Sequence, residues 1–428
     1  MIGFAGLSHL GIVSSAAAAA KGFDVIGYDA NAGLCEALAA GRPPVVEPGL
    51  PELLKQQRSR MTFSADPASL GACDVIYVSV DVPTDAANRS DCTPVELLLR
   101  ETARVAKPGA TLVVLSQVHP GFSRQRRHEV ESQKTLRLYY QVETLVFGIA
   151  VQRALEPERF MVGCADPSTP LPDALEQFLK AFGCPILPMR YESAELCKIS
   201  INMYLVSSVS TTNMLAEVCE AVGAEWREIA PALRLDRRIG AHAYLTPGLG
   251  VGGGNLTRDL VTIASLASEH GTDAELVSTW FANSEYRRDR ALRTLHQTAL
   301  AARPDPVVAV WGMAYKEHTQ SIKNSPGVAL LSTLASAGIQ TRAYDPEAAV
   351  SPAEAKCYGA VADPLTACDG ADALAVMTPW PAFAGIDLEA ARLRMRGHHL
   401  IDPFGRLDPA RAQAAGFSYM RLGSGHAA

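Results

Sequence analysis

The first 29 residues, MIGFAGLSHLGIVSSAAAAAKGFDVIGYD (1–29), predict the fold. A short apolar run at 2–5 precedes the turn GLSHLG (6–11), an alanine-rich stretch follows, and a second apolar run ends at Asp29. This succession of strand, glycine turn, helix and strand predicts a βαβ unit. Further apolar runs at 74–80, 110–116 and 159–163 are separated by helical patterns such as 95–106. The alternation predicts an α/β fold with a parallel, doubly wound sheet.

The turn matches the dinucleotide fingerprint G-x-G-x-x-G in part. Gly6 and Gly11 are present, whereas Ser8 stands at the middle glycine. Glycines at these positions allow a pyrophosphate to approach the N–H groups of the following helix. Asp29 ends the second predicted strand, where an acid accepts hydrogen bonds from the adenosine ribose and repels a 2′-phosphate. The sequence therefore predicts that the chain binds NAD rather than NADP.

The remainder of the chain predicts a second α/β region beyond a helical one. A stretch without proline or internal glycine predicts one long helix from Tyr191 to about Val222, ended by Gly223, and a second helical stretch covers about 257–300. Strand patterns return at 307–312, 341–345, 373–378 and 399–402. We predict two Rossmann-like, doubly wound domains, 1–190 and 301–428, joined by a long central helix within a domain at 191–300. By pattern alone, the middle region is as readily a helical spacer or oligomer interface as part of a functional site.

Composition excludes several classes of protein. The chain has 428 residues, of which 48% are hydrophobic and 20% charged, so it is not disordered as a whole. Its net charge of −6 offers no basic field for nucleic acid or an anionic membrane. Nine cysteines are scattered without a metal-binding spacing, which predicts a reduced cytoplasmic protein without a metal. The N-terminus lacks the pattern of a signal peptide, and we expect no membrane span.

A second dense motif is the glycine-rich stretch PGLGVGGGNLTRD (247–259). Such a loop loses much entropy on ordering, so it predicts a close approach of backbone to a ligand, the alternative being a flexible connector. LTRDL within it predicts the start of a helix. Lys198 and Asn202 are four residues apart in the long helix, so they share one of its faces, either at a site or at a solvated edge.

Together these features resemble the UDP-glucose/GDP-mannose dehydrogenase family, and the resemblance extends over nearly the whole chain. The matching segments, in order, are 6–11, 47–50, 82–84, 116–121, 143–148, 157–159, 194–195 with Lys198 and Asn202, 238–240, 248–259, 312–316, 325–326, 343–346 and 378–380. The resemblance implies an N-terminal NAD domain, a central dimer-forming helix and a C-terminal domain that binds the nucleotide diphosphate of a UDP- or GDP-linked sugar.

In that family a nucleotide sugar loses four electrons, and a cysteine thiolate traps the intermediate aldehyde as a precursor of a thioester. Asn255 occupies the cysteine position in this sequence, and Cys197 lies off the helix face of Lys198. Gln117 replaces a threonine and Phe147 replaces a glutamate, and the acidic residues usual before the Ser-Pro pair are changed in 320–324.

The family's proton-handling residues are retained. The resemblance assigns the lysine and aspartate, Lys198 and Asp259, to managing the alcohol proton and stabilising oxyanion charge, and Glu143 matches a hydrolytic glutamate. The catalytic candidates it implies are Lys198, Asn202, Asp259, Glu143 and Asn255. The cofactor-binding candidates are Gly6, Ser8, His9, Leu10, Gly11, Asp29, Val82, Pro83, Thr84, Ser116, Gln117 and Lys323. The substrate-binding candidates are Phe147, Arg238, Tyr244, Gly248, Gly250, Gly252, Gly253, Tyr315 and Lys316.

This pattern predicts an NAD-dependent oxidoreductase that acts on a CH–OH group of a nucleotide sugar. Hydride transfer needs a positioned alcohol, a proton acceptor and NAD, but no thiol. We therefore predict one two-electron oxidation without a thioester, in a homodimer. Two alternatives stay open: a four-electron 6-dehydrogenase in which the aldehyde is hydrated directly, and a catalytically silent relative that binds the nucleotide sugar.

Overall fold

The computed structural model describes residues 1–85, 87–348 and 350–425. It divides into two compact units, Met1–Ile201 and Asn202–Ala428. Each unit is built around a largely parallel sheet, which confirms the predicted α/β class with Rossmann-like halves and a long helix. The division into three domains at residues 190 and 300 stays a prediction.

The first unit contains a sheet of eight strands among its described residues, in the order β3-β2-β1-β4-β5-β6-β7-β8. The strands are β1 (Ile2–Ala5), β2 (Val25–Tyr28), β3 (Met61–Ser64), β4 (Val75–Val78), β5 (Thr111–Val114), β6 (Arg137–Gln141), β7 (Phe160–Cys164) and β8 (Ile186–Arg190). Its helices are α1 (His9–Ala20), α2 (Ala32–Ala39), α3 (Leu50–Gln56), α4 (Thr93–Val105), α5 (Phe122–Glu131), α6 (Ala150–Leu155) and α7 (Asp173–Lys180).

One pair of neighbouring strands departs from the predicted parallel arrangement. β6 and β7 are antiparallel, whereas the other neighbouring pairs of this sheet are parallel. An antiparallel neighbour starts at the same edge of the sheet at which the previous strand ends. The connecting segment 142–159, which carries Glu143 and Phe147, therefore stays at the carboxyl edge of the sheet.

Both faces of this sheet are buried, as is usual where helices cover a parallel sheet on each side. One face carries a cluster that includes Phe4, Tyr77 and Phe178, in which Phe4 and Tyr77 stack with ring centroids 5.2 Å apart. The opposite face carries a second cluster, which includes Leu112 and Leu138. Packing on both faces holds the strands in place, and most functional candidates of the first unit lie in loops that follow them.

α8 (Tyr191–Val222) begins in the first unit and ends in the second. It confirms the predicted long helix at both ends, and Gly223 follows it in the left-handed conformation with φ +76°. The predicted helical stretch 257–300 is confirmed as a helical region, which consists of several helices. The first of them, α10 (Asn255–His270), ends at Gly271, which has φ +65°, and shorter helices follow within the described residues.

The second unit contains a parallel sheet with five described strands, in the order β10-β9-β11-β12-β13. These are β9 (Val307–Trp311), β10 (Gln340–Tyr344), β11 (Ala373–Val376), β12 (His399–Ile401) and β13 (Ser418–Met420). Its remaining helices are α9 (Trp226–Leu235), α10 (Asn255–His270), α11 (Glu275–Arg288), α12 (Arg290–Gln297), α13 (Ala299–Ala302), α14 (Pro326–Ser336), α15 (Pro352–Tyr358), α16 (Pro364–Ala367), α17 (Leu388–Arg394) and α18 (Pro409–Ala414). In the part of the chain that the structure describes, no helix has the length and apolar character needed to cross a membrane.

Candidate active site

The turn between β1 and α1 requires glycine at both ends. Gly6 has φ +88°, and a Cβ on it would lie 2.8 Å from the backbone nitrogen of Val80. A Cβ on Gly11 would lie 2.1 Å from the carbonyl oxygen of Gly6. Ser8 donates its hydroxyl hydrogen to the carbonyl oxygen of Ser79 at 2.8 Å, so its side chain is tied to the sheet and makes no capping hydrogen bond to α1. The first turn of α1, which contains His9, Leu10 and Gly11, retains the N–H groups that suit an anion.

Asp29 is held beside this turn by two backbone hydrogen bonds. It directly follows β2, and its Oδ2 accepts from the N–H of Leu7 at 2.9 Å while its Oδ1 accepts from the N–H of Asn31 at 3.0 Å. These bonds orient the carboxylate at the carboxyl edge of the sheet. Each oxygen keeps a further lone pair that a ribose hydroxyl can use.

The other cofactor candidates of the first unit follow neighbouring strands. Val82, Pro83 and Thr84 come after β4, and Ser116 and Gln117 come after β5. The hydroxyl of Ser116 donates to the carbonyl oxygen of Val80 at 2.6 Å, which joins the two loops. Because β2, β1, β4 and β5 are adjacent in that order, the sheet brings these candidates together at one edge. Lys323 belongs to the second unit.

Lys198 and Glu143 form a mostly buried ion pair in the first unit. The ammonium nitrogen of Lys198 lies 3.8 Å from Oε2 of Glu143, and both side chains are mostly buried, at 12% and 19% exposed. The other carboxylate oxygen of Glu143 accepts a hydrogen bond from the N–H of Leu145. Cys197 lies next to Lys198 in sequence, but its sulfur contacts the sulfur of Met161 at 3.4 Å and it packs against the core. The structure therefore agrees with the view that Cys197 faces away from Lys198.

Phe147 lies on the side chain of His9. The two rings stack with centroids 4.2 Å apart, and Nε2 of His9 lies 3.0 Å from Oε2 of Glu47. Sequence analysis placed Phe147 with the substrate and His9 with the cofactor, and the structure joins them. The contacts of Glu47 could not be found from the sequence, because the partners of this residue lie far along the chain.

In the second unit, Asn202 and Asp259 form a hydrogen bond. Nδ2 of Asn202 donates to Oδ2 of Asp259 at 2.5 Å, and Nε of Arg258 lies 3.3 Å from Oδ1 of the same carboxylate. All three side chains are buried, and Asp259 is only 1% exposed. The charge of Arg258 offsets the cost of burying the carboxylate. Arg258 was not among the candidates taken from the sequence, because an arginine beside an aspartate in a helix carries no distinctive pattern.

The glycine-rich loop before α10 is held by side chains from two helices. The N–H of Gly248 donates to Oδ1 of Asn213 at 2.7 Å, and the N–H of Val251 donates to the hydroxyl of Ser284 at 2.7 Å. A Cβ on Gly250, which has φ +83°, would lie 2.5 Å from the carbonyl oxygen of Ser284. These contacts support an ordered loop over a flexible connector. Asn213 and Ser284, which hold the loop by these hydrogen bonds, were not among the candidates taken from the sequence.

The end of the loop packs against residues 315–324. A Cβ on Gly253 would lie 2.7 Å from the ring of Tyr315, and one on Gly252 would lie 3.4 Å from it. The side-chain amide of Asn324 donates to the carbonyl oxygen of Gly253 at 2.8 Å. Burial raises the pKa of Tyr315 to about 12, so its hydroxyl remains a hydrogen-bond donor near neutral pH. The ammonium of Lys316 lies 5.9 Å from the centroid of the Tyr315 ring.

Asn255 is the first residue of α10, as LTRDL predicted to within two residues. Its side chain is exposed. The side chain of Lys323 passes the preceding residue, because a Cβ on Gly254 would lie 3.3 Å from Cδ of Lys323. The amide of Asn255 thus stands at the positive end of a helix, beside the loop and an ammonium group.

Two substrate candidates lie at the surface of the second unit. Arg238 is 89% exposed and forms an ion pair with Asp236 at 2.6 Å, in the turn after α9. Tyr244 is 46% exposed, and its carbonyl oxygen accepts hydrogen bonds from the hydroxyls of Ser208 and Thr212, each at 3.0 Å. These described contacts do not join either residue to the Asn202–Asp259 pair.

The cysteines of the second unit occupy positions outside the glycine-rich loop. Cys219 is buried in α8 against Trp226, Cys357 is exposed on α15, and Cys368 is buried after α16. Burial raises the pKa of Cys368 to about 12, which disfavours its thiolate. Among residues 1–85, 87–348 and 350–425, no group of three His, Cys, Asp or Glu side chains could hold a metal ion.

Comparison with known proteins identifies matches along the whole chain. Models of the UDP-glucose/GDP-mannose dehydrogenase family match in three parts, the NAD binding domain at 1–182, the central domain at 192–284 and the UDP binding domain at 309–409. UDP-glucose 6-dehydrogenase TuaD of Bacillus subtilis is 26% identical over 430 residues, which cover 98% of this chain and 92% of that protein.

Solved structures give the same result for the fold. A UDP-glucose dehydrogenase from the hyperthermophilic archaeon Pyrobaculum islandicum matches with a TM-score of 0.86 and 26% identity, covering 99% of this chain and 98% of that chain. A UDP-D-ManNAc dehydrogenase from Pyrococcus horikoshii matches with a TM-score of 0.85 at 22% identity, covering 99% of both chains.

Proposed function

The chain belongs to the UDP-glucose/GDP-mannose dehydrogenase family of NAD-dependent oxidoreductases, which act on a CH–OH group of a nucleotide sugar, and from this premise we propose that it performs a single two-electron oxidation without a thioester. The substrate in this proposal is a UDP- or GDP-linked sugar. The product is the corresponding ketone or aldehyde together with one NADH.

The position of Asn255 carries this proposal. The resemblance places the family's thiol at this residue, where the glycine-rich loop meets the first turn of α10. A carboxamide is not a nucleophile of comparable strength near neutral pH, so it does not trap an aldehyde as a thiolate does. An aldehyde bound at such a site lacks the tetrahedral thiohemiacetal from which a second hydride would leave.

Hydride transfer itself makes smaller demands, which the retained residues suit. The alcohol carbon gives its hydride to the nicotinamide, and the hydroxyl proton passes through water to a carboxylate, for which we propose Asp259. Asn202 orients this carboxylate by its 2.5 Å hydrogen bond. We assign to Lys198 the stabilisation of developing alkoxide charge, a role suited to a mostly buried ammonium.

For the cofactor, we propose that the pyrophosphate binds the first turn of α1 and that Asp29 binds the adenosine ribose. Two observations support this proposal. Gly6 and Gly11 leave no space for a side chain, and two backbone hydrogen bonds orient the carboxylate of Asp29. Val82–Thr84 and Ser116–Gln117 continue the same edge of the sheet toward the nicotinamide end.

The test is a stoichiometry measured on a panel of substrates. We would incubate the protein with NAD and each of UDP-glucose, UDP-D-ManNAc and GDP-mannose, record NADH by absorbance and identify the product by NMR. The expected result is one NADH per sugar oxidised, with a carbonyl product. Two NADH and a carboxylate would contradict the proposal and establish a four-electron reaction.

One observation favours that four-electron alternative. Glu143 is retained and lies 3.8 Å from Lys198, so it is available to activate water for direct hydration of an aldehyde. A catalytically silent relative is the remaining alternative, motivated by Ser8 and Asn255. NADH formation with any nucleotide sugar would exclude it.

A further inference from the structure

We propose that Glu47 is a positioning residue that fastens the segment carrying Glu143 and Phe147 to the first turn of α1, so that dinucleotide binding and the placement of this segment are coupled. The inference rests on the proposed function only in assuming that NAD binds at α1. It concerns a residue of the 47–50 motif to which that function assigns no role.

Glu47 is a buried carboxylate with three hydrogen-bond partners. Its side chain is 0% exposed, and its Oε1 accepts from the N–H of Ala150 at 2.7 Å. Its Oε2 accepts from the N–H of Gly148 at 3.1 Å and from Nε2–H of His9 at 3.0 Å. Glu47 thereby joins the start of α6 and the turn before it to a residue of α1, although Glu47 itself lies about a hundred residues before Gly148 and Ala150.

The imidazole of His9 completes the connection. Its backbone N–H lies in the first turn of α1, where a pyrophosphate would bind, and its ring stacks on Phe147 with centroids 4.2 Å apart. A movement of this turn on binding an anion therefore moves a side chain that is bonded to Glu47 and packed against Phe147. No other rearrangement is needed to transmit the movement to the segment 143–148.

Coupling of this kind is reciprocal. If binding of the dinucleotide favours one placement of the segment 143–148, then fixing that placement strengthens binding of the dinucleotide by the same factor. Weakening the bond between His9 and Glu47 should lower the affinity for the cofactor, although neither side chain need touch it.

The experiment measures NADH binding by fluorescence titration of the full chain, without turnover, for wild type, Glu47→Gln, His9→Phe and the double variant. Phenylalanine keeps an aromatic ring against Phe147 but cannot bond Glu47. Each single variant should weaken binding about three- to tenfold, and the double variant should be no weaker than the poorer single one, because both remove the same link. Additive losses would overturn the proposal.

Hydrogen exchange supplies a readout that a merely structural role would not change. In wild type, NADH should slow exchange at the amides of Gly148 and Ala150, and in His9→Phe this effect should disappear while unbound exchange remains as in wild type. Persistence of the NADH effect in His9→Phe would also overturn the proposal. Should Glu47→Gln fail to fold, His9→Phe alone tests the proposal through these exchange measurements.

Asp402→Asn is the matched control. Asp402 is likewise a buried carboxylate that accepts a backbone N–H, from Leu407 at 2.7 Å, but it lies in the second unit. Its replacement should lower the free energy of unfolding and leave NADH affinity unchanged. Equal losses of affinity in Asp402→Asn and Glu47→Gln would show that the effect is general destabilisation. If the wild-type protein oxidised no nucleotide sugar but showed these effects of NADH, the proposed function would be contradicted and the coupling proposal would stand.

Discussion

At the scale of the residue, the two units offer charged groups with different surroundings. Asp259 is buried with Arg258 and Asn202 as partners, so the neighbouring guanidinium offsets the cost of burying the carboxylate. Lys198 faces a single carboxylate at 3.8 Å, a distance longer than a good hydrogen bond. We therefore propose that the Lys198 ammonium contacts a substrate oxygen, whereas Asp259 is oriented by its two partners.

Replacing Lys198 by alanine tests its assignment. We expect the rate of hydride transfer to fall by about ten- to a hundredfold, because developing alkoxide charge would lose its stabilising ammonium. Stopped-flow absorbance of NADH formation measures this rate. Lys107→Ala is the control, since Lys107 bonds Asp74 at the edge of the same unit. Turnover near that of wild type in Lys198→Ala would remove this lysine from the mechanism.

Restoring a thiol at position 255 tests the role of the amide. Asn255 is exposed at the start of α10, so Asn255→Cys should leave the free energy of unfolding within about 0.5 kcal/mol of wild type. A thiol at a helix N-terminus has a lowered pKa and is nucleophilic. We expect a substrate-dependent acyl adduct by mass spectrometry if the sugar is oxidised at C6, and none in Asn255→Ser. An adduct on the wild-type protein would contradict the proposed chemistry.

At the scale of the element, the glycine-rich loop shows that its glycines serve different purposes. Gly250 is required by backbone conformation and by the nearby carbonyl of Ser284. Gly252 has an ordinary backbone conformation, and a Cβ there would meet the Tyr315 ring at 3.4 Å, which is a normal contact. The folded loop therefore does not require glycine at 252, so we propose that a ligand does.

A pair of alanine variants separates these purposes. Gly250→Ala should lower the free energy of unfolding by about 1–3 kcal/mol, because it adds left-handed strain and a clash with backbone. Gly252→Ala should unfold as wild type does in a thermal scan, yet raise the KM for nucleotide sugar severalfold by blocking close approach. A normal KM in Gly252→Ala would show that the loop does not contact the substrate there.

Other elements show what the sequence could and could not predict. The βαβ unit and α8 were predictable because their patterns are local. β8 was missed because it contains Pro188, which is tolerated only at a sheet edge, where this strand lies. The break at Gly271 was missed because a single glycine in a helical pattern is ambiguous. The bonds of Glu47 to Gly148 and Ala150 connect distant segments, and no local pattern encodes such contacts.

At the scale of the whole molecule, α8 presents a row of large apolar side chains in the second unit. Met214, Val218 and Val222 recur every four residues, so they share one face of the helix, and they are 51%, 50% and 70% exposed. Tyr204 on the same helix is 81% exposed. Contiguous exposed apolar surface of this kind is typical of protein interfaces. We therefore propose that the protein is a homodimer in which this face is covered.

Sedimentation velocity tests this proposal. Wild type should sediment as a dimer at micromolar concentration, and Val218→Asp should shift it to monomer, because a buried unpaired carboxylate costs several kcal/mol. Leu393→Asp is the control, since Leu393 is 87% exposed on α17, on a different element. A monomeric wild type, or a dimer unaffected by Val218→Asp, would contradict the assignment of this face.

The two hydrogen bonds of Asp29 have a consequence for engineering. Attempts to switch a dehydrogenase to the phosphorylated dinucleotide usually begin by removing the acid that meets the ribose. Here Asp29, for which we propose that role, also accepts hydrogen bonds from the backbone N–H groups of Leu7 and Asn31. Replacing it with a residue that cannot accept would leave both N–H groups without this acceptor and remove the hydrogen bond that connects the glycine turn to the end of β2. A redesign for the other coenzyme must therefore supply a neutral acceptor, such as serine or asparagine, before it adds a cation.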